Sequence, residues 1–330
     1  MGKKFLSSII IILFLGSIAY AQKPQWQIYN TSNSGLPTNS IHKVVIDEDN
    51  NKWIGTWDAG LVKLTDDGEW IVFDTSNSAL PNNTIYTIVI DEDDNKWIGT
   101  FGGGIAVYDD DEFIVYDTAN SGLPHDWIYS IAIDKDNNKW IGTWGGGLAE
   151  FDDETWKVYN PFNSPLPKIK VTALGVDDDN NIWIGTSGEL AMFDRDKWYT
   201  NDTLKFSPPI EGIYSIYKNH DGKIYIGLKF GCVYIIDDMK CSSLTKENSG
   251  MPHYGVYSIV KDLEDNIWVA NFGSGVMTYD GCKWEVFDST NSPLTDDKVF
   301  SISIDENNNK WISTYSGGLV IFNEMGINIK

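Results

Sequence analysis

The chain has 330 residues, with 25 Lys and Arg against 47 Asp and Glu and a formal net charge of −22. A surface of that sign repels phosphate backbones, so nucleic-acid binding is excluded as a function class. Its 42 % hydrophobic content, with 14 Trp, 16 Tyr and 14 Phe, supplies a packed core and excludes an acidic disordered chain.

Residues 1–21 read as a secretory signal peptide. Lys3 and Lys4 precede an apolar run from Ile9 to Leu15, and Ala19-Tyr20-Ala21 forms an A-x-A cleavage site. No cysteine follows that site, which disfavours a lipoprotein. No later segment offers the roughly 18 consecutive apolar residues of a membrane span. Residues 22–330 are therefore expected to form one exported domain, periplasmic or extracellular, with no membrane insertion after cleavage.

The next element, Trp26 to Pro37, reads as a short strand and an exit loop. Seven repeats follow. An aromatic residue, a β-branched residue and a small residue recur at Trp53, Trp97, Trp140, Trp183, Tyr225, Trp268 and Trp311. Each is preceded by an apolar run such as IYTIVID and followed by a Gly-rich turn, a run such as GLVKL, and a segment such as EWIVFD. Four short strands in each repeat predict an all-β fold, a seven-bladed β-propeller of four-stranded blades. The seventh repeat, Val299 to Phe322, lacks its fourth strand, and the N-terminal segment supplies one. That segment is expected to complete the last blade and close the ring, leaving no free edge. The seven repeat aromatics are assigned to packing between blades, because recurrence in every unit is what a core requires.

Three cysteines are an odd number and too few for a disulfide scaffold. Cys232 and Cys241 fall on one hairpin several residues out of register, and Cys282 lies in the next repeat, so unpaired thiols are expected. The D-x-D-x-N hairpins, such as Asp47, Asp49 and Asn51, lack the fixed bidentate Glu and bend Gly of a calcium loop and read as solubilising Asx turns. No metal or cofactor is expected.

The pattern LPxxx[IV], IDxDNNKWIGT and GG[LI]xxF resembles the two-component regulator propeller repeat over roughly residues 26–324. The resemblance implies the exported sensor part of bacterial hybrid histidine kinases that respond to polysaccharide fragments, commonly with two propellers, an immunoglobulin-like domain, a membrane span and a kinase. This chain reads as one propeller without those partners. Fold and a tendency toward ligand or partner binding therefore carry over, and phosphorelay activity does not.

In a propeller, the first-to-second and third-to-fourth hairpins share one face. They hold 33 of the 47 acids here. The second-to-third turns and the blade connections share the other face, and the turns carry Trp57, Phe101, Trp144, Phe272 and Tyr315 in repeats one, two, three, six and seven. Repeats four and five have Ser187 and Lys229, leaving a gap bordered by Lys168, Lys170, Lys205 and Lys229. Trp127, Tyr254, His125 and His253 come from blade connections on the same face. The candidate ligand-binding set is Trp57, Phe101, Trp127, Trp144, Lys170, Lys229, Tyr254, Phe272 and Tyr315. Packing of these rings on neighbouring glycines is the competing account.

Catalytic candidates are sparse. The four histidines are His42, His125, His220 and His253, and there is no nucleophile elbow, phosphate loop or zinc signature. The function expected is a non-catalytic binding or sensing module for an oligosaccharide or a protein partner. The alternatives are a propeller lyase, since related repeats occur in antibiotic-cleaving lyases, and a structural component of a cell-envelope assembly.

Overall fold

A computed structural model describes residues 25–204, 206, 210, 212–252 and 255–327; the expected signal peptide lies outside them. Seven four-stranded antiparallel sheets, each running from an innermost to an outermost strand, form the blades. Blade one comprises Ile41–Ile46, Lys52–Thr56, Leu61–Leu64 and Trp70–Phe73. The other innermost strands are Ile85–Ile90, Ile128–Ile133, Val171–Val176, Ile213–Lys218, Val256–Lys261 and Val299–Ile304. Successive innermost strands pack around the axis, including that of blade seven against that of blade one, so the ring is closed.

Closure uses the N-terminal strand, as expected. Trp26–Tyr29 is the fourth strand of blade seven and pairs with Leu319–Phe322, Trp26 opposite Phe322 and Tyr29 opposite Leu319. The two ends of the described chain are further tied by Asn323 N donating to Gln25 O at 2.9 Å.

The repeat motif has a mechanical explanation. The first Asp of the hairpin accepts the indole N–H of the Trp six residues later in six blades: Asp47 from Trp53, Asp91 from Trp97, Asp134 from Trp140, Asp177 from Trp183, Asp262 from Trp268 and Asp305 from Trp311, at 2.6–2.9 Å. In blade one the same carboxylate also accepts from the Asn51 backbone at 2.7 Å and side chain at 2.9 Å. The residue at the bend, Asn50 in blade one, is left-handed with φ 61°, a conformation Asn tolerates. These are Asx turns, as expected, but Asp47, Asp91, Asp134, Asp262 and Asp305 are buried and serve the scaffold rather than solubility.

The tryptophans face the following blade. Trp53 clusters with Ile85, Ile88, Ile98 and Ala106 of blade two, and Trp311 clusters with Ile41, Val44 and Ile54 of blade one. A cation from that following blade covers the ring: Lys96 over Trp53, Lys139 over Trp97, Lys310 over Trp268 and Lys52 over Trp311, at 4.7–5.0 Å. Blades four, five and six have Ile182, Ile224 and Ile267 in place of this lysine. In blade four Arg195, the chain's single arginine, substitutes for it from the third-to-fourth hairpin, lying 5.1 Å from the Trp140 ring and 2.6 Å from Asp134. Buried cation–π contacts of this kind contribute up to about 2 kcal/mol.

The small residue after the Trp permits blades to approach. A Cβ on Gly55 would meet Ile85 Cγ2 at 2.7 Å, too close for any other residue without a shift. The three cysteines are free thiols. Cys241 lies opposite Ile236 while Cys232 precedes Val233, the partner of Leu244, so the hairpin holds the two out of register. Burial pushes both thiols up to about 11.

Candidate functional site

Every innermost strand carries a register shift at its second residue. The side chain at a bulge is turned out of the sheet's alternation. Here that residue lines a central cavity of about 620 Å3: His42, Tyr86, Tyr129, Thr172, Tyr214, Tyr257 and Phe300, one from each blade. Six of the seven are rings, and they form a collar. Centroid separations are 4.4 Å for His42–Tyr86, 4.5 Å for Tyr86–Tyr129, 4.7 Å for Tyr214–Tyr257, 5.7 Å for Tyr257–Phe300 and 4.6 Å for Phe300–His42. The only break is at blade four, where the Thr172 hydroxyl donates to Ile213 O at 2.7 Å.

The turn aromatics form a second tier on this collar. Trp57 stacks at 6.3 Å on Phe300 and lies 5.4 Å from His42. Phe101 stacks on Tyr86 at 6.3 Å and on Trp127 at 4.3 Å. Trp144 stacks on Tyr129 at 5.3 Å and meets Trp127 edge-on at 5.7 Å. Phe272 and Tyr315 lie 5.3 and 6.1 Å from Phe300. The structure thus brings Trp57, Phe101, Trp127, Trp144, Phe272 and Tyr315 together around one mouth. Trp144 and Tyr315, at 39 % and 40 % exposure, present open ring surface, while Trp57, Phe101 and Phe272 are half-buried. Packing and availability to a ligand are divided among the rings rather than exclusive.

At the gap, Lys170 Nζ lies 3.5 Å from the Trp144 centroid and 4.6 Å from that of Tyr129. Burial, and then the charge of Lys229, hold Lys170 below the usual lysine range. Tyr254, His253 and Lys205 lie outside the described residues. His125 Nδ1 accepts the Trp127 amide at 3.0 Å and is committed to the turn.

Charge is segregated between the faces. On the acidic face, Lys96 pairs with Asp94 and Asp110, Lys139 with Asp153, Lys218 with Asp178, Lys261 with Asp265 and Lys310 with Glu324. On the mouth face, Lys170, Lys229 and Lys298 have no carboxylate within ion-pair distance among the described residues, and Lys298 instead lies over Phe272 and Tyr315 at 5.6 and 5.2 Å.

The collar and Lys43 escaped the sequence reading. His42 is wedged between Tyr86 and Phe300 with its buried Nδ1 lacking a partner, and burial, then the neighbouring Lys43 charge, push it down to about 3. It is therefore neutral at ordinary pH. Lys43 also lines the cavity, and burial holds it below the usual range. Taking the innermost strands as apolar or small concealed the collar. The signal was available as a column of aromatics at the second position, broken only by Thr172.

Three segments, 79–102, 122–145 and 165–188, match the family described as two component regulator propeller. No curated protein matches the sequence. Among solved structures, the chain is similar to the extracellular domain assigned to a hybrid two-component system, BT3049 from B. thetaiotaomicron, with TM-score 0.76 and 21 % identity over 91 % of this chain and 42 % of that one. The extracellular domain assigned to a one-component system, BT4673 from the same organism, gives TM-score 0.73 and 19 % identity over 90 % and 40 %. The chain thus spans less than half of the length of these two structures. A virginiamycin B lyase from Staphylococcus aureus, solved with quinupristin, gives TM-score 0.74 and 14 % identity over 90 % and 98 %. At these identities the likeness is one of fold.

Proposed function

We infer that this chain, a member of the two-component regulator propeller family, is an exported, non-catalytic binding or sensing module that takes a carbohydrate at the mouth of its central channel. The observation that carries this reading is the two-tiered ring of aromatics around an open cavity, with cations free of acidic partners at its rim. Flat ring faces stack on the apolar faces of sugars, and a concave site with apolar walls and few polar groups is the usual form of a ligand pocket. The extracellular sensor domains that share the fold add support.

Export rests on the N-terminal sequence. Among the described residues no helix is long and apolar enough to cross a membrane.

An array of neutral and uronic-acid oligosaccharides, probed with the purified protein, tests the reading. Selective retention of one glycan class is expected. Failure to bind any glycan, with capture of a peptide ligand instead, would replace it with the assembly alternative. Turnover of a streptogramin such as quinupristin would replace it with the lyase alternative.

A further inference from the structure

We propose that Lys43 is an anion seat within the central channel and takes the carboxylate of a sugar acid. The inference rests on the binding-module reading and names the ligand class.

The third residue of each innermost strand is Thr87, Ser130, Ala173, Ser215, Ser258 and Ser301 in blades two to seven, and Lys43 in blade one. Where a serine stands, its hydroxyl stitches one blade to the next. Ser130 Oγ accepts from Leu174 N at 3.0 Å, Ser258 Oγ from Ile302 N at 3.4 Å and Ser301 Oγ from Val44 N at 3.1 Å. Ser215 Oγ donates to Val256 O at 3.2 Å. An ammonium cannot accept a hydrogen bond, so Lys43, like Ala173 in blade four, does not make the corresponding stitch. Lys43 is the one charged residue at this position of the seven innermost strands.

Among the described residues, Lys43 and Lys170 are the only lysines that line the cavity, and no Asp or Glu lines it. In a chain of net charge −22 this is a reversal of sign. No carboxylate among the described residues pairs with Lys43, although lysines on the acidic face find one repeatedly. An enclosed cation without a counter-charge is costly, and an arriving anion relieves that cost. Tyr86, Tyr129 and Trp144 line the same cavity and supply stacking faces, and the two tyrosines add hydroxyls, so the anion is best carried on a sugar ring. A cavity of about 620 Å3 falls in the usual range for small ligands, roughly 300–1,000 Å3.

The test titrates galacturonate, glucuronate, galactose, glucose and acetate calorimetrically against the full protein and the Lys43→Ser and Lys43→Arg variants. The sugar acids are expected to bind at least about tenfold more tightly than the neutral sugars and acetate. Lys43→Ser should abolish that preference with an unchanged or higher melting temperature, because a serine restores the stitch to Ile88 N. Lys43→Arg should keep the preference. Equal affinity of wild type and Lys43→Ser for galacturonate would overturn the proposal. So would wild-type binding of neutral sugars as tight as that of the acids, an outcome that leaves the binding-module reading standing.

Discussion

Deleting residues 22–30 is expected to open the ring and drive the protein into aggregates. The strand removed, Trp26–Tyr29, supplies four backbone pairings to Leu319–Phe322. Trp26 lies 4.2 Å from Phe322 and 5.8 Å from Phe287, and Tyr29 lies 5.3 Å from Trp70 of blade one. Burying Trp26, Ile28 and Tyr29 contributes roughly 1.5–3 kcal/mol each at full burial. They are half-buried, so the total is on the order of 2–5 kcal/mol, a large share of a typical stability of about 5–15 kcal/mol. The exposed edge would be Leu-Val-Ile-Phe, buried along its whole length in the intact ring. An unpaired apolar edge recruits other chains. Light scattering during thermal unfolding checks this: the deletion should lower the transition by about 5–10 °C and scatter at its onset. A synthetic peptide of residues 22–37 should restore part of the loss. An unchanged, non-scattering transition would show that the N-terminal strand does not close the ring.

Replacing Asp134 with Ala is the second large effect expected. Burial alone would raise this carboxyl, but the Trp140 indole, the Asn138 and Asp136 amides and Arg195 together hold it below the usual carboxylate range. Its loss leaves the Trp140 N–H and the Arg195 guanidinium without their buried acceptor. Removing one partner of such a group costs about 3–5 kcal/mol, or a fall in melting temperature on the order of 5–10 °C. The sign of the pH dependence follows. A carboxyl whose pKa is depressed on folding stabilises above its unfolded value, about 3.9, and that contribution fades as pH falls through the folded value. The wild type should therefore lose stability in acid, and Asp134→Ala should lose less. Asp237→Ala, at an exposed hairpin of the same face, should change the melting temperature little. Equal melting temperatures for wild type and Asp134→Ala would remove the hairpin carboxylate from the account of the scaffold.

The blades were legible because Trp53 and its counterparts each pack on the next blade, and a contact repeated seven times leaves a period in the sequence. The closing strand was legible for the same reason: Trp26–Tyr29 has the composition of a fourth strand without the three before it. Trp57, Phe101, Trp144, Phe272 and Tyr315 could be placed on one face from turn position alone, since topology fixes which turns share a side. The collar could not be reached that way. Alternation along a regular strand cannot tell that Tyr86 and Tyr129 face the axis, because the bulge that re-aims them is a backbone irregularity. Arg195 illustrates the converse case. It reaches Asp134 and the Trp140 ring of blade three from a hairpin of blade four, a contact made only across the folded blades. Lys43 was hidden because a single lysine in an apolar strand has no meaning until its neighbours prove to be free of acids.

The measurement that tests the central claim most directly is titration of the best array ligand against the Trp57→Ala, Trp144→Ala double variant, with melting temperatures recorded alongside. Each stacking contact contributes about 1 kcal/mol beyond area burial, so binding should weaken by at least about tenfold. The melting temperature should change little, because Trp144 is substantially exposed and Trp57 half-buried at the rim. Wild-type affinity in the double variant, or a loss of stability without a loss of binding, would contradict the assignment of the channel mouth as the binding site.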